Sequence, residues 1–262
     1  MKKLISNRNS AILIAVLTGL FITTNLFSQE PELLSKVREN DINAVKALIA
    51  AGADVNQQDD MMGYTPLGLA VPGNNPEMVK LLLSKGADIN HQDKRTGYTH
   101  LMMAFSYGRS EMAELLISLG ADIKIKGNDG ATALILAAGN SLNLVKLLLS
   151  KGADISTRTE RGLGVLTQCT IGIISGSVSL EMAEFLLKNG ADIDETNTSD
   201  FRGGYTPLFW AVSENHEELV SFLIKNGANV NATAKNGKTP LSLAVEEGHT
   251  KIIELLKSNG AK

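Results

Sequence analysis

Beyond its first thirty residues, the chain is a succession of short apolar segments separated by polar segments rich in glycine and aspartate. One pair of apolar segments consists of Pro66–Ala70 and Glu77–Leu83, and each predicts a short helix. The second segment carries apolar residues at five of its positions. Five are too many for a single helical stripe, so the second helix must be covered on more than one side. The pattern predicts an all-α protein built from short helices that pack between neighbours.

The pairs of segments repeat along the chain. Gly-Ala-Asp begins at positions 52, 86, 120, 152 and 190, and related triplets begin at 227 and 260, which gives intervals of 34, 34, 32, 38, 37 and 33 residues. A second marker follows within 10 to 14 residues: Gly-Tyr-Thr-Pro-Leu at Gly63 and Gly204, with variants at Gly97, Gly130 and Gly237. Self-similarity at this period is typical of a solenoid of stacked units.

Each unit carries its own start and stop signals for helices. Thr65 before Pro66 favours a helix start, because the threonine oxygen accepts an unpaired N–H and proline at the first position wastes no donor. Gly86 suits the left-handed residue that follows a helix, and the polar segment 88–97 suits a projecting turn. One pair of short helices cannot bury its own apolar surface, so the units must stack.

The Gly-Ala-Asp and Thr-Pro-Leu phrases resemble the ankyrin-repeat family over about residues 31–262. The resemblance implies a solenoid of helix-turn-helix units with β-hairpin loops, in a domain covering residues 29–262. The end units are expected to be polar caps, since they face water. The predicted units are an N-terminal cap at 31–52, repeats at about 53–86, 87–120, 121–152, 153–190 and 191–227, and a C-terminal cap repeat at 228–262.

The resemblance also implies that a protein partner binds a concave face formed by the hairpins and the first helices. Tyrosine, methionine and arginine at these positions are typical of binding hot spots. The alternatives are that the tyrosines are partly buried between hairpins and that Trp210 belongs to the core. The candidate partner-binding residues are Met61, Met62, Tyr64, Arg95, Tyr98, Tyr107, Phe201, Arg202, Tyr205 and Glu214.

The first 28 residues have a different character. Lys2, Lys3 and Arg8 precede an apolar run, Ala11–Ile22, and Ser28 offers a small residue for cleavage. This layout is typical of a secretory signal peptide, because the run is short of the ~20 residues that span a membrane. The sequence therefore predicts a protein exported from a bacterial cell, either periplasmic or secreted. An uncleaved anchor is the alternative, and it would be the one contact with a membrane.

Composition excludes several classes of function. The 262 residues are 44% apolar and 20% charged with a net charge of −3, so nothing indicates binding to nucleic acid. A single cysteine, Cys169, excludes an internal disulfide framework. The histidines, His91, His100, His216 and His249, are scattered over the repeats without metal-ligand spacing. The sequence predicts no cofactor, no metal and no catalytic residue.

One unit departs from the regular spacing. Gly162 and Gly190 are 28 residues apart where most units use 23, and the next loop, from Gly190 to Gly204, is also long. The extra residues fall near 170–177, and we expect an apolar loop that contains Ile171, Ile173 and Ile174. Insertions in solenoids often lie on a binding face, and the alternative is drift at a tolerant surface site, since long loops cost little.

These observations favour a non-enzymatic and monomeric scaffold that binds a protein. The same face would serve an inhibitor, an immunity protein or a secreted effector. A third hypothesis is a stress-related enzyme or cofactor protein with its site in the irregular region 162–204, where it predicts clustered histidine, cysteine or carboxylate groups.

Overall fold

The computed structural model describes residues 31–198 and 202–262, which form fourteen helices in seven consecutive pairs. The predicted signal peptide at 1–28 and Phe201 lie outside the described residues. The helices are α1 Glu32–Arg38, α2 Ile42–Ala50, α3 Pro66–Ala70, α4 Pro76–Ser84, α5 His100–Ser106, α6 Ser110–Ser118, α7 Ala133–Ala137, α8 Leu142–Ser150, α9 Val165–Ile174, α10 Leu180–Lys188, α11 Pro207–Ser213, α12 Glu217–Lys225, α13 Pro240–Glu247 and α14 Thr250–Ser258.

The helix pairs stack in chain order, and the predicted all-α solenoid is confirmed. Each odd-numbered helix, here called an inner helix, packs against the even-numbered outer helix of its own pair and against the inner helix of the next pair. One continuous core runs from Leu33 to Leu256. It contains a column of fully buried leucines, each four residues before a repeat glycine in an outer helix: Leu82, Leu116, Leu148, Leu186, Leu223 and Leu256.

The expected β-hairpins form as tight turns with almost no strand pairing. Within the described ranges the one β-bridge joins Gln92 and Thr99. A single backbone hydrogen bond closes the turn at Asp93, whose N–H donates to the carbonyl of Tyr98 at 3.1 Å. The carboxylate of Asp93 also accepts hydrogen bonds from the backbone N–H groups of Arg95, Thr96 and Tyr98. Side-chain bonds of this kind supplement the backbone bond and keep the turn compact.

The tips of successive turns are joined by backbone hydrogen bonds. Each bond runs from an N–H of one turn to a carbonyl of the turn before it, at 2.7–2.9 Å. The turns therefore form a continuous edge along the stack. The donor and acceptor pairs are Lys94 to Met62, Asn128 to Thr96, Glu160 to Asp129, Thr198 to Arg161 and Lys235 to Gly203.

The predicted apolar loop of the irregular unit is wrong. Ile171, Ile173 and Ile174 lie in α9, the longest of the described helices, and Ile173 is buried. The extra residues lengthen the inner helix because their apolar side chains continue the surface that packs against α10 and α11. Part of the insertion therefore extends the core, while Ser175, Gly176 and Ser177 are exposed in the loop that follows α9.

None of the fourteen helices in the described ranges is long and apolar enough to cross a bilayer.

Candidate partner-binding face

The turns and the inner helices together present one side of the stack, here called the inner face. Its first half brings together several of the predicted residues. The guanidinium of Arg95 and the ring of Tyr107 both lie close enough to the hydroxyl of Tyr64 to influence its pKa. Burial, followed by the proximity of Tyr107, raises the pKa of Tyr64. We call Tyr64, Arg95 and Tyr107 the tyrosine–arginine cluster.

The cluster offers both apolar and polar surface to solvent. Tyr107 is 49% exposed at the end of α5, and Met61 is 84% exposed in the turn before Tyr64. Met62 is half-buried, and its carbonyl accepts a hydrogen bond from the N–H of Lys94. Exposed aromatic, methionine and arginine side chains are the residue types that carry binding energy at protein interfaces.

Tyr98 is half-buried between neighbouring turns. Its ring packs on the backbone of Gly127, where an added methyl group would come within 2.7 Å, and its hydroxyl donates to Asp129 at 3.2 Å. Burial and then the adjacent carboxylate of Asp129 raise the pKa of Tyr98 to about 12. An open groove of about 470 Å³ lies beside the ring, with Arg95 and Arg161 among its lining residues.

The prediction that Tyr205 is available to a partner is wrong. Its side chain is buried and stacks on Phe209 with ring centroids 4.7 Å apart, while Trp210 meets it edge-on at 6.2 Å. Trp210 is only half-buried, and the guanidinium of Arg202 lies 4.6 Å from the centre of its ring. Trp210 and Arg202 therefore form the accessible part of this aromatic group. Glu214, at the end of α11, is exposed.

The irregular unit contains a buried carboxylate that sequence reasoning missed. Glu195, from the turn of the following unit, accepts hydrogen bonds from the N–H groups of Thr167 at 2.5 Å and Gly164 at 3.2 Å. These are the first donors of α9, whose start lacks the usual threonine. Arg158 lies 3.3 Å from the other oxygen of Glu195.

The arrangement around Glu195 is a helix cap supplied by another repeat. Burial raises the pKa of Glu195, against the opposing effects of its hydrogen bonds and of Arg158. The absence of Thr-Pro at Gly164 was the available sequence signal that the cap must come from elsewhere. Its source could not be read from the sequence, since only the stacking places Glu195 against α9.

The groups suited to chemistry are separated and engaged in structure. The thiol of Cys169 is fully buried, and burial followed by nearby Glu195 raises its pKa to about 12. His100 bonds to the carbonyl of Ile89 and lies 3.1 Å from the hydroxyl of Thr65, and burial lowers its pKa to about 4. No three histidine, cysteine or carboxylate groups of residues 31–198 and 202–262 could hold a metal ion.

Comparison with known proteins agrees with this architecture. The family model for ankyrin repeats, described as three copies, matches residues 33–127, 97–159 and 172–262. The chain belongs to the ankyrin-repeat family. Ankyrin repeats are generally protein–protein interaction modules and typically non-enzymatic scaffolds, so a protein partner of unknown identity is expected.

Individual relatives match only parts of the chain. It is 29% identical to a putative ankyrin repeat protein of Borreliella burgdorferi over 99 residues, covering 38% of this chain and 40% of that protein. It is 33% identical to a putative ankyrin repeat protein of Rickettsia bellii, over 42% of this chain and 32% of that protein. It is also 33% identical to the phosphocholine transferase AnkX of Legionella pneumophila, over 42% of this chain and 13% of that protein. The chain thus matches less than half the length of each of these relatives.

Proposed function

We propose that this protein is a non-enzymatic, monomeric scaffold that binds a protein partner through its inner face. The tyrosine–arginine cluster is the observation that carries the proposal. It places two tyrosines and one guanidinium near one another, in the same part of the face as the exposed Met61. Such groups supply contact area at a small cost in side-chain entropy, and a guanidinium that hydrogen-bonds in a plane adds direction.

The environments of the reactive groups support a scaffold over an enzyme. A nucleophilic cysteine needs a lowered pKa, whereas burial raises the pKa of Cys169. A general base needs a pKa near neutrality and access to substrate, whereas His100 is 1% exposed and bonded to Ile89. The irregular region holds Glu195 beneath the surface, where it caps α9.

We further propose that the scaffold acts outside the cytoplasm of a bacterium, in the periplasm or after secretion. The support is the basic and apolar pattern of residues 1–28. The same face would serve an inhibitor, an immunity protein or a secreted effector. The match to AnkX concerns 13% of that protein, and it supports shared repeats rather than a shared transferase activity.

The test is capture of partners from the cells that make the protein, with the inner face and the outer helices compared. Tyr64→Ala with Tyr107→Ala removes the aromatic surface, and Lys80→Ala with Glu114→Ala changes exposed residues of the outer helices. We expect the first pair to abolish capture of a partner that the unchanged chain and the second pair both retain. Equal capture by both variants would place binding elsewhere and overturn the proposal.

N-terminal sequencing of the exported chain tests whether the predicted signal peptide at residues 1–28 is cleaved.

A further inference from the structure

We propose that the stack bends at a hinge between the unit at 121–152 and the irregular unit at 153–190, because this junction lacks a side-chain connection that its neighbours have. We call this boundary the central junction. The described residues on either side of it move as two rigid parts. This property goes beyond the proposed function and does not depend on it.

Neighbouring units are joined at the base of their turns by a side chain, here called the clasp, four residues after a repeat glycine. The clasp is complete at Asn56, whose Oδ1 accepts a hydrogen bond from the N–H of Asp88 at 2.8 Å and whose Nδ2 donates to the carbonyl of Gly86 at 3.0 Å. A bond across about thirty residues restrains the angle between two units. The other clasps accept N–H groups at 2.8–3.0 Å: Asn90 from Asp122, Asp194 from Asn229, and Asn231 from Lys262.

The central junction has no clasp. Lys124 occupies the clasp position, and a lysine ammonium has donors but cannot accept a bond from a backbone N–H. Among the described residues, the N–H of Asp154 that a clasp would bind finds no acceptor. The following junction has Ser156 at its clasp position, but Glu195 holds that junction together by capping α9.

One point of attachment remains at the central junction. Apart from the bonds that end α8, one hydrogen bond crosses it within residues 121–190, from the N–H of Glu160 to the carbonyl of Asp129 at 2.7 Å. The preceding junction has such a bond at its turn tips and also the Asn90 clasp and a 2.9 Å bond from Gln92 to the carbonyl of Lys126. A single bond fixes a point but not an angle, so the turn tips can act as the pivot.

An open cleft lies where the missing clasp would be. It measures about 240 Å³ at the base of the turns, and Lys124, Gly152 and Asp154 are among its lining residues. A second cleft, of about 430 Å³ and lined mainly by polar side chains, separates α8 from α10. A cleft of similar size lies beside α10 at the following junction, where Glu195 restrains the units. Movement at the central junction therefore need not displace tightly packed side chains.

The charges across the base cleft do not replace the clasp. Hydrogen bonds from Ser156 chiefly lower the pKa of Asp154, and Lys126, from the opposite side of the cleft, adds a smaller effect. Lys126 and Asp154 are both exposed. Attraction between exposed charges is weak, is screened by salt and acts over a range of distances, so it leaves the angle between the units free.

The remaining contacts at the central junction permit sliding. At the far end of the inner helices, a Cβ atom on Gly172 of α9 would lie 3.1 Å from the Cα atom and from the carbonyl oxygen of Gly139, so backbone meets backbone there. On the outer side, the amine of Lys146 lies 5.4 Å from the centre of the Phe185 ring. Neither contact interlocks side chains, and small sliding of packed helices is a common form of domain movement.

Bending about the turn tips would change the curvature of the inner face. Tyr107 belongs to the first part of the stack and Trp210 to the second, so the distance between them depends on the hinge. A partner that touches both parts would favour one curvature, and its affinity would then depend on how often the free chain adopts that curvature.

The experiment measures distances between pairs of spin labels on the full chain by double electron–electron resonance. The labels are attached to cysteines introduced in a Cys169→Ala background, and circular dichroism checks that each variant folds. All positions are exposed and lie six residues before a repeat glycine in outer helices. The pair Glu114→Cys with Glu184→Cys spans the central junction. Lys46→Cys with Glu114→Cys and Glu184→Cys with Glu254→Cys are matched controls, also two units apart.

We expect the distribution of distances across the central junction to be about twice as wide as in either control pair. Lys124→Asn supplies the missing clasp and should narrow this distribution to the width of the controls. Lys126→Asn makes the same change of charge two residues further on, without placing an amide at the clasp position, and should leave the distribution wide.

Three outcomes would overturn the hinge: equal widths for all three pairs, a wide distribution that Lys124→Asn does not narrow, or equal narrowing by Lys124→Asn and Lys126→Asn. No partner is present in this measurement, so each of these results would leave the proposed scaffold function standing. Conversely, a confirmed hinge would say nothing about whether the inner face binds a protein.

Discussion

At the scale of single residues, two buried ionisable side chains stand where units depart from the Thr-Pro helix start. His100 occupies the first position of α5, where α3, α11 and α13 have proline, and Glu195 caps α9 from the next unit. Each is held by bonds between units, as in the 3.1 Å contact of His100 with Thr65. Local departures from the repeat are thus compensated by neighbouring repeats.

His100 makes stability depend on pH. Its pKa falls from the ordinary 6.5 to about 4 because burial disfavours the charged ring, aided by nearby His91 and opposed by the carbonyl of Ile89 and by Asp88. The folded state therefore favours neutral His100. The contribution of His100 to the free energy of unfolding is complete above pH 6.5. As the pH falls from 6.5 toward 4, the free energy of unfolding decreases by about 3 kcal/mol in total.

Urea unfolding of the wild type and of His100→Pro between pH 7 and pH 4 measures this contribution. Proline fits the first position of a helix, as at Pro66, and it does not titrate. We expect the difference in unfolding free energy between the two proteins to shift toward the variant as the pH falls. A difference that stays constant over this range would show that His100 does not titrate as inferred.

Gly164 is required because Glu195 occupies the space of a side chain. A Cβ atom at Gly164 would overlap Oε2 of Glu195, and it would lie 2.7 Å from the guanidinium of Arg158. Gly164→Ala should displace the cap and cost about 2 kcal/mol of unfolding free energy. The control is Gly73→Ala, where the nearest atom is a carbonyl oxygen at 3.3 Å and the expected change is within about 0.5 kcal/mol. Equal losses at both positions would argue against the cap.

At the scale of helices, the sequence was a reliable guide to where each begins. Thr65, Thr99, Thr132 and Thr239 each accept a hydrogen bond from the N–H three residues later, as a threonine before a helix predicts. Thr206 has the same sequence context, but its hydroxyl is buried and finds no hydrogen-bond partner among the described residues. Identical local signals thus lead to different bonds, because the exact position of the backbone decides whether the hydroxyl reaches it.

This difference predicts opposite results for one isosteric change. Thr65→Val removes the cap of α3 and the contact with His100, so the free energy of unfolding should fall by about 1–2 kcal/mol. Thr206→Val replaces an unsatisfied buried hydroxyl with a methyl group, so stability should stay the same or rise slightly. Thermal unfolding of the two variants checks this. A clear loss for Thr206→Val would mean that its hydroxyl has a partner in solution.

At the scale of the whole molecule, burial depends on position in the stack. Val212 and Val245 both lie six residues after the threonine that precedes an inner helix. Val212 is fully buried beneath the following unit, whereas Val245, in the last inner helix, is 57% exposed. The same local sequence is therefore core in one repeat and surface in another.

Val→Lys at the two positions measures that difference. Val212→Lys should cost more than about 3 kcal/mol or prevent folding, because it buries an unpaired charge. Val245→Lys should change the unfolding free energy by no more than about 0.5 kcal/mol. A large loss at Val245, accompanied by a change of mass in light scattering, would indicate that a second copy covers the end of the stack in solution.

The sequence alone determined the repeat, the helix pairs and most helix starts, because periodic leucines, Thr-Pro and Gly-Ala act over a few residues. It also marked Tyr64, Arg95 and Tyr107, whose positions follow from the register. Only the tertiary structure decided that Tyr205 is buried, that the isoleucines of 171–174 extend a helix and that Glu195 caps α9. The cap depends on hydrogen bonds between residues 28 and 31 positions apart, and only the stacking of neighbouring units brings such residues together.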